Sequence, residues 1–409
     1  MWSVATAIAF ASALNVFTDI SLSFAVAFTA LLLFVYLQAG GMWSVAFTQS
    51  MNTIMFLIMF IVGMIAFFIN PGISGLQQLA VDRPEMFHLG GAGLQVIVAW
   101  FGTFLVNVIL AQAAFQMALS CKTPEEGKKG MIGAVFMGVP FIICGVLFGL
   151  AAAIVVPDGN LGLIALPQYL MEVLPAPLVG LFFLGVWACA LGWGGPCQFS
   201  GATSLGKDVG SAIFPGADNQ QLVKYTKWSL LLLTGLMIVF GLLRTEQSAW
   251  WNVLAWTVRN SATFAPVVAA IFWPVVTQSA VVSSLLTGFA SGLIWYYLGG
   301  WHPTSFFLDI HPVWIGMSAN IAFLLIVTLI TAHGRWIVNY RNTSVKGIIS
   351  VLTSVLLLTV TIIFFDTLHQ VGLVGLFGFA AILSLFITGI IYIKPKHIQI
   401  APVARTVNE

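Results

Sequence analysis

Three side chains in one apolar segment are of the types, and at the spacing, that could line a small-molecule cavity. Trp100, Phe104 and Asn107 follow one another at i, i+4 and i+7 within the run 92–118, so a helix would place them on one face. Two aromatic rings and an amide could line a cavity for a small organic solute. The same spacing is also common in packed cores, and the sequence leaves both interpretations open.

Arg259 is the exception among the charged residues, because it lies well inside an apolar run, eight residues after Trp251. A charge at membrane depth is costly and often marks a solute or ion pathway. Arg259 would either face such a cavity or extend its guanidinium to the membrane surface. The apolar runs carry no chain of carboxylates or histidines, so a proton relay is not expected.

A cluster of glycines and a proline interrupts the long apolar run 175–205. Gly192, Gly194, Gly195 and Pro196 lie within five residues, and Pro196 cannot donate a hydrogen bond to the carbonyl of Gly192. The cluster predicts an unwound turn whose free carbonyls could serve a solute or an ion. The alternative is a packing kink at which small residues let a neighbouring helix approach.

Metal and enzyme chemistry have little support in the sequence. The six histidines lie at the ends of apolar runs or in loops, without an HExxH grouping. The four cysteines show no CxxC pairing. We therefore expect no metal site, no resident cofactor and no enzymatic activity.

The elements that position these residues must be membrane-spanning helices. The chain has 409 residues, of which 60% are hydrophobic and 7% are charged, and its mean hydropathy is +1.02. Soluble domains carry about 25% charged residues, so a soluble enzyme, a nucleic-acid binder and a disordered protein are excluded. Such a chain requires the lipid bilayer as its solvent.

Twelve apolar runs are long enough, or nearly long enough, to span a bilayer. With both termini in the cytoplasm, all basic residues except Arg83, Arg244 and Arg259 fall on the inner side, as the positive-inside rule requires. The sequence thus predicts one polytopic domain over 1–393 and a short cytoplasmic tail over 394–409. The runs cover 1–17, 20–38, 45–69, 92–118, 131–156, 175–205, 228–246, 252–274, 278–298, 312–332, 346–365 and 370–393.

Four stretches, taken in order along the chain, resemble the sodium:solute symporter family. GGMWSVAFTQ at 40–49 is similar to the GG-x-x-AV-x-x-TD signature of the family, with Gln49 in place of its Asp. FQMALSCKTPEEGKKG at 115–130 is similar to a WQR-type segment that closes another helix. The run 180–208 resembles the helix that follows, and 265–273 with 288–295 resembles the next pair of helices.

The resemblance implies an all-α membrane protein of about twelve transmembrane helices with the LeuT-type fold, an inverted-repeat transporter architecture. It also implies symport of small solutes such as sugars, amino acids, carboxylates or vitamins. Residues 1–17 resemble the fourth helix of the family, so the architecture is expected to be N-terminally incomplete and to lack the first three helices.

The same resemblance places the ion site on the run 175–205. The sodium-binding Ser-Ser/Thr pair of the family aligns with Gly192 and Trp193, and Cys189 takes the preceding carbonyl position. Hard cations prefer oxygen ligands, and none of these three side chains carries one. Na+ is therefore the coupling ion that the resemblance implies, while the coupling itself stays open.

The expected function is a secondary active transporter that moves a small organic solute across the cell membrane. Its expected partners are the solute and the lipid bilayer, and nucleic acid is not among them. The alternative is a non-transporting solute sensor, or a partner subunit, built on a symporter-like membrane domain.

Overall fold

The computed structural model describes residues 2–157, 164–243, 248–302, 304–338 and 345–396, without the side chains of residues 2, 39–44 and 248–249. These ranges are almost entirely helical. The chain divides into two compact units, one formed by Met1–Gly91 with Ala111–Leu254 and the other by Ala92–Leu110 with Ala255–Glu409. Residues 397–409, which make up most of the predicted tail, lie outside the described residues.

The first unit packs long helices around a core of aromatic and small residues. Phe148 and Phe182 pack edge to face in this core at a centroid distance of 6.3 Å, and the Tyr169 hydroxyl donates to the carbonyl of Asn70 across 2.7 Å. Its helices are α1 (Trp2–Thr18), α2 (Leu22–Ile69), α3 (Gly72–Asp82), α5 (Gln112–Leu119), α6 (Pro124–Val155), α7 (Ala165–Val173), α8 (Ala176–Thr203), α9 (Gly210–Ile213) and α10 (Asn219–Leu243), with a 3-10 turn at Pro84–Phe87 and a π-helical segment at Ser204–Val209.

The second unit is built around Trp273, Trp314, Phe379 and Phe386, which share one buried cluster. Its helices are α4 (Leu94–Ile109), most of α11 (Ser248–Phe272), α12 (Gln278–Leu298), α13 (Pro312–Thr331), α14 (Val345–Ile363), α15 (Phe365–Val371) and α16 (Val374–Tyr392), with a 3-10 turn at Phe307–Asp309. Strands β1 (Trp336–Val338) and β2 (Ile393–Pro395) pair antiparallel, with Ile337 opposite Lys394.

Nine helices within the described residues are long and apolar enough to cross a membrane, which makes the protein a multi-pass membrane protein. Two further apolar stretches are shorter, namely Ser3–Thr18 in α1 and Leu22–Gln38 in the first part of α2. Helix α11 is not among the nine, because the polar sequence WTVRNSAT lies at its middle. A helix of 25 residues with a polar centre suits the interior of a helical bundle, where polar residues serve function.

Several helices extend beyond the predicted apolar runs into polar sequence. Helix α6 begins at Pro124 rather than at 131, because the Thr123 hydroxyl accepts a hydrogen bond from the backbone N–H of Glu126 across 3.2 Å and caps the first turn. Pro124 at the first helical position and Glu125 in the first turn favour the same start. Hydropathy locates the apolar part of such a helix and misses its capped end.

The prediction of separate helices over 20–38 and 45–69 is wrong. Helix α2 runs without interruption for 48 residues, about 72 Å at 1.5 Å per residue. Gly40 and Gly41 cost about 1 kcal/mol each in a helix relative to alanine, but they allow helical dihedrals. The long helical stretches on both sides can therefore propagate through them.

Candidate functional site

The predicted cavity face lies on α4, within the second unit. Helix α4 places Trp100, Phe104 and Asn107 on one side, but their exposure differs: Trp100 is half-buried, Phe104 is 53% exposed and Asn107 is 5% exposed. The Trp100 indole nitrogen is buried and has no hydrogen-bond partner among the described residues. The face therefore combines an open aromatic ring with buried polar groups.

Arg259 of α11 contacts the end of this face. Its guanidinium donates to the backbone carbonyl of Asn107 across 3.0 Å and also to the Asn107 side-chain oxygen. Asn107 lies in the last turn of α4, where the helix dipole is negative. A cation there is favoured, so the sequence-predicted candidates Asn107 and Arg259 meet although 152 residues separate them.

Residues that the sequence patterns did not single out complete this cluster. Trp256 packs edge to face on Phe104 at a centroid distance of 5.5 Å, and the Asn260 amide donates to the carbonyl of Thr103 across 2.7 Å. Both lie within one turn of Arg259 on α11. Their position within one helical turn of an intramembrane charge was the available sequence signal for them.

An interruption follows directly after Asn107 in the chain. Helix α4 ends at Ile109, and α5 begins at Gln112. Leu110 has φ −101° and ψ 6°, and Ala111 has φ −74° and ψ 75°, so the helical ladder is broken within the apolar run 92–118. The sequence did not predict this break, because neither glycine nor proline marks it.

The predicted break at Gly192–Pro196 is absent, and this prediction is wrong. Helix α8 continues from Ala176 to Thr203 with Pro196 inside it. The reason is a neighbouring side chain: the Gln49 amide nitrogen of α2 donates to the carbonyl of Gly192 across 2.6 Å. That carbonyl is the one that Pro196 leaves without an intrahelical donor. A side-chain amide thus satisfies the helix where the backbone cannot.

The residues at the resemblance-derived ion position offer nitrogen and sulfur groups. The Cys189 thiol is half-buried, Gly192 has no side chain, and the indole of Trp193 is 45% exposed. A Cβ at Gly192 would lie 3.2 Å from the buried amide nitrogen of Asn52, which has no hydrogen-bond partner among the described residues. None of the three side chains supplies an oxygen atom, which a hard cation selects, and the Gly192 carbonyl already accepts a hydrogen bond from the Gln49 amide.

The part of the chain that the structure describes contains no cluster of metal-binding side chains. Within these residues, no group of three or more His, Cys, Asp or Glu side chains could hold a metal ion. The chemistry available at the α4–α11 cluster is hydrogen bonding by an amide and a guanidinium beside aromatic rings. Such a cluster can bind and orient a polar organic molecule.

Comparison with known proteins adds a family and a relative. The family model described as the sodium:solute symporter family matches residues 3–288, which include all seven candidate site residues. The sodium/pantothenate symporter of Haemophilus influenzae is 23% identical to this chain over 286 residues. The match covers 66% of this chain and 58% of the relative, so the chain spans less than two thirds of that protein's length.

Proposed function

Because the chain belongs to the sodium:solute symporter family, we propose that it is a secondary active transporter that moves a small organic solute across the cytoplasmic membrane. The observation that carries this proposal is the contact between Arg259 and Asn107 at the end of the interrupted helix α4. Transporters often bind solutes where a membrane helix breaks, because the break leaves backbone groups free to form hydrogen bonds.

In this proposal the side chains of the cluster have two different roles in binding the solute. Trp100 and Phe104 offer rings against which the apolar part of a solute packs. Asn107 and Arg259 supply the polar contacts that fix its orientation. A solute that carries both an apolar part and hydrogen-bonding groups fits this division best.

We also propose the architecture that the family implies. It has a LeuT-like inverted-repeat arrangement of transmembrane helices within one transporter domain over 1–393, with the tail 394–409 and both ends of the chain in the cytoplasm. The distribution of basic residues supports this orientation. Cysteine labelling from either side of sealed vesicles would test it at single positions in the loops.

The alternative function is a solute sensor or partner subunit that binds without pumping. The observation in its favour is the set of groups at Cys189, Gly192 and Trp193, which does not fit the ion that the family uses for coupling. Both functions require a solute to bind at the α4–α11 cluster. They differ in whether bound solute crosses the membrane.

The experiment that separates them is reconstitution of the full chain in liposomes. Pantothenate is the first solute to test, since the H. influenzae relative is a sodium/pantothenate symporter. Binding is measured by tryptophan fluorescence, and accumulation by uptake of labelled solute under inward gradients of sodium, protons or choline. Accumulation in a sodium or proton gradient above that in the choline control supports a transporter, and binding without accumulation supports the sensor. Absence of binding for a panel of vitamins, sugars and amino acids contradicts both.

Arg259→Lys tests the site itself. Lysine keeps the charge but replaces the planar guanidinium, whose Nη2 donates to both Asn107 oxygens, by a compact ammonium with a different donor geometry. We therefore expect the Kd or KM for the solute to rise about tenfold, a loss of about 1.4 kcal/mol. Arg335→Lys is the matched control, because Arg335 is exposed. Equal affinity in the two variants would remove Arg259 from the site.

A further inference from the structure

The crossing of α2 and α8 contains a side chain whose role does not follow from membership of the family. The Gln49 amide nitrogen lies 2.6 Å from the carbonyl oxygen of Gly192. A carbonyl oxygen only accepts hydrogen bonds, so the nitrogen end of the amide must face it. The contact therefore fixes the orientation of the Gln49 side chain.

The chain needs this contact because of Pro196. Proline removes the N–H that would bond to the carbonyl of Gly192, four residues earlier. At membrane depth no bulk water replaces the missing donor, so the free carbonyl requires either a donor or a cation. Gln49 supplies a donor from within the protein.

The surroundings of Gly192 leave little room for another occupant. A Cβ built on Gly192 would lie 3.0 Å from the Gln49 side-chain oxygen and 3.2 Å from the Asn52 amide nitrogen. Gln49 and Asn52 are spaced at i and i+3 on α2, so both amides face α8 at this point. Asn52 is 5% exposed, which places the crossing inside the first unit.

We propose that the Gln49 amide replaces a bound cation at the α2–α8 crossing, so that the packing of these helices and the binding of solute do not depend on sodium. The amide N–H group carries a partial positive charge toward the Gly192 carbonyl, as a sodium ion would, but it is covalently attached and always present. The part of this inference that concerns solute binding rests on the proposed function. The part that concerns helix packing does not.

The first test measures thermal unfolding of the purified full chain in detergent, with equal concentrations of sodium chloride or choline chloride. A ligand that binds only the native state raises the melting temperature. We expect the native chain to show the same Tm in both salts. We expect Gln49→Leu, which leaves the carbonyl without a donor, to lower the Tm by several degrees in both salts alike.

Gln49→Glu is the sharper variant, because it keeps the shape of the side chain and exchanges the donor for a carboxylate. At about pH 9 even a carboxyl with a raised pKa is largely ionised. An oxygen of the carboxylate at position 49 would then face the carbonyl oxygen of Gly192. A cation between them relieves the repulsion, so we expect sodium to raise the Tm of Gln49→Glu above its value in choline. Gln220→Glu is the matched control, since Gln220 is exposed, and its Tm should be the same in both salts.

A sodium-specific rise in the Tm of the native chain would overturn the inference, and so would a Gln49→Leu variant as stable as the native chain. A Gln49→Glu variant with equal Tm in both salts would also overturn it, because Gln49 would then have no relation to a cation. These outcomes stand apart from transport. A chain that neither binds nor moves solute refutes the proposed function, while the Tm values still decide the role of Gln49.

Discussion

The side-chain amide of Asn320 donates to the carbonyl of Ala262 across 2.8 Å. This is the carbonyl that Pro266, inside α11, leaves without an intrahelical donor. Two prolines within helices, Pro196 and Pro266, thus have the same solution: an amide side chain from a neighbouring helix of the same unit bonds to the carbonyl four residues earlier. Proline at these positions leaves the helix intact because the partner is built into the fold.

Asn320 is therefore expected to be among the most sensitive positions for stability. It is fully buried and makes three hydrogen bonds, to the carbonyls of Ala262 and Ser284 and from the backbone N–H of Ala265. Asn320→Leu leaves all three groups without this partner, so we expect a loss of about 3–5 kcal/mol in unfolding free energy. Thermal or denaturant unfolding in detergent measures it.

A second substitution supplies the control for this prediction. Pro266→Ala returns a backbone donor to the carbonyl of Ala262, so Asn320→Leu should cost less in that background than in the native chain. The difference between the two costs is the coupling energy of the pair. Equal costs in the two backgrounds would show that Asn320 acts independently of the proline.

Pro196 and Pro266 show how far the sequence predicts the fold. Composition and hydropathy located nearly every long helix, because apolar runs of about 20 residues have few other structures available in a membrane. The glycine-proline cluster at 192–196 predicted a break that is absent. Whether the helix breaks there depends on Gln49, which lies 143 positions from Gly192 in the sequence. Local propensity cannot report a partner on another helix.

The candidate site was predictable residue by residue but not as an arrangement. Helical spacing selected Trp100, Phe104 and Asn107, and intramembrane charge selected Arg259. Their meeting depends on the packing of α4 on α11, which neither pattern contains. The break after Ile109 carries no glycine or proline, so it belongs to the tertiary structure rather than to local sequence.

Gly288 permits the close approach of α12 to α11. A Cβ there would overlap the carbonyl oxygen of Ser261 and lie 2.8 Å from the Cβ of Asn320. We expect Gly288→Ala to destabilise the protein by about 1–3 kcal/mol, because the backbones must separate. Gly138→Ala is the matched control on α6, where nothing lies within 4 Å of the added Cβ. Equal unfolding curves for the two variants would contradict the predicted overlap.

His311 caps α13, and its burial makes the stability of the second unit depend on pH. Its Nδ1 accepts a hydrogen bond from the backbone N–H of Val313 across 3.2 Å, and Phe306 packs edge to face on its ring at 4.5 Å. The side chain is fully buried, and burial lowers the pKa of His311 to about 3. The native state therefore keeps this ring neutral, while the unfolded chain binds a proton near pH 6.5.

The sign of the pH effect follows from that difference. Between about pH 6.5 and pH 3 the unfolded state binds more protons than the native state, so the unfolding free energy falls as the pH falls. At about pH 4.5 the contribution of His311 is a loss of roughly 2–3 kcal/mol relative to neutral pH. His311→Asn keeps an acceptor for Val313 and cannot titrate, so the decline in Tm below about pH 6.5 should become shallower. His333→Asn, at an exposed position, should keep the native slope, and identical slopes in all three proteins would refute the assignment.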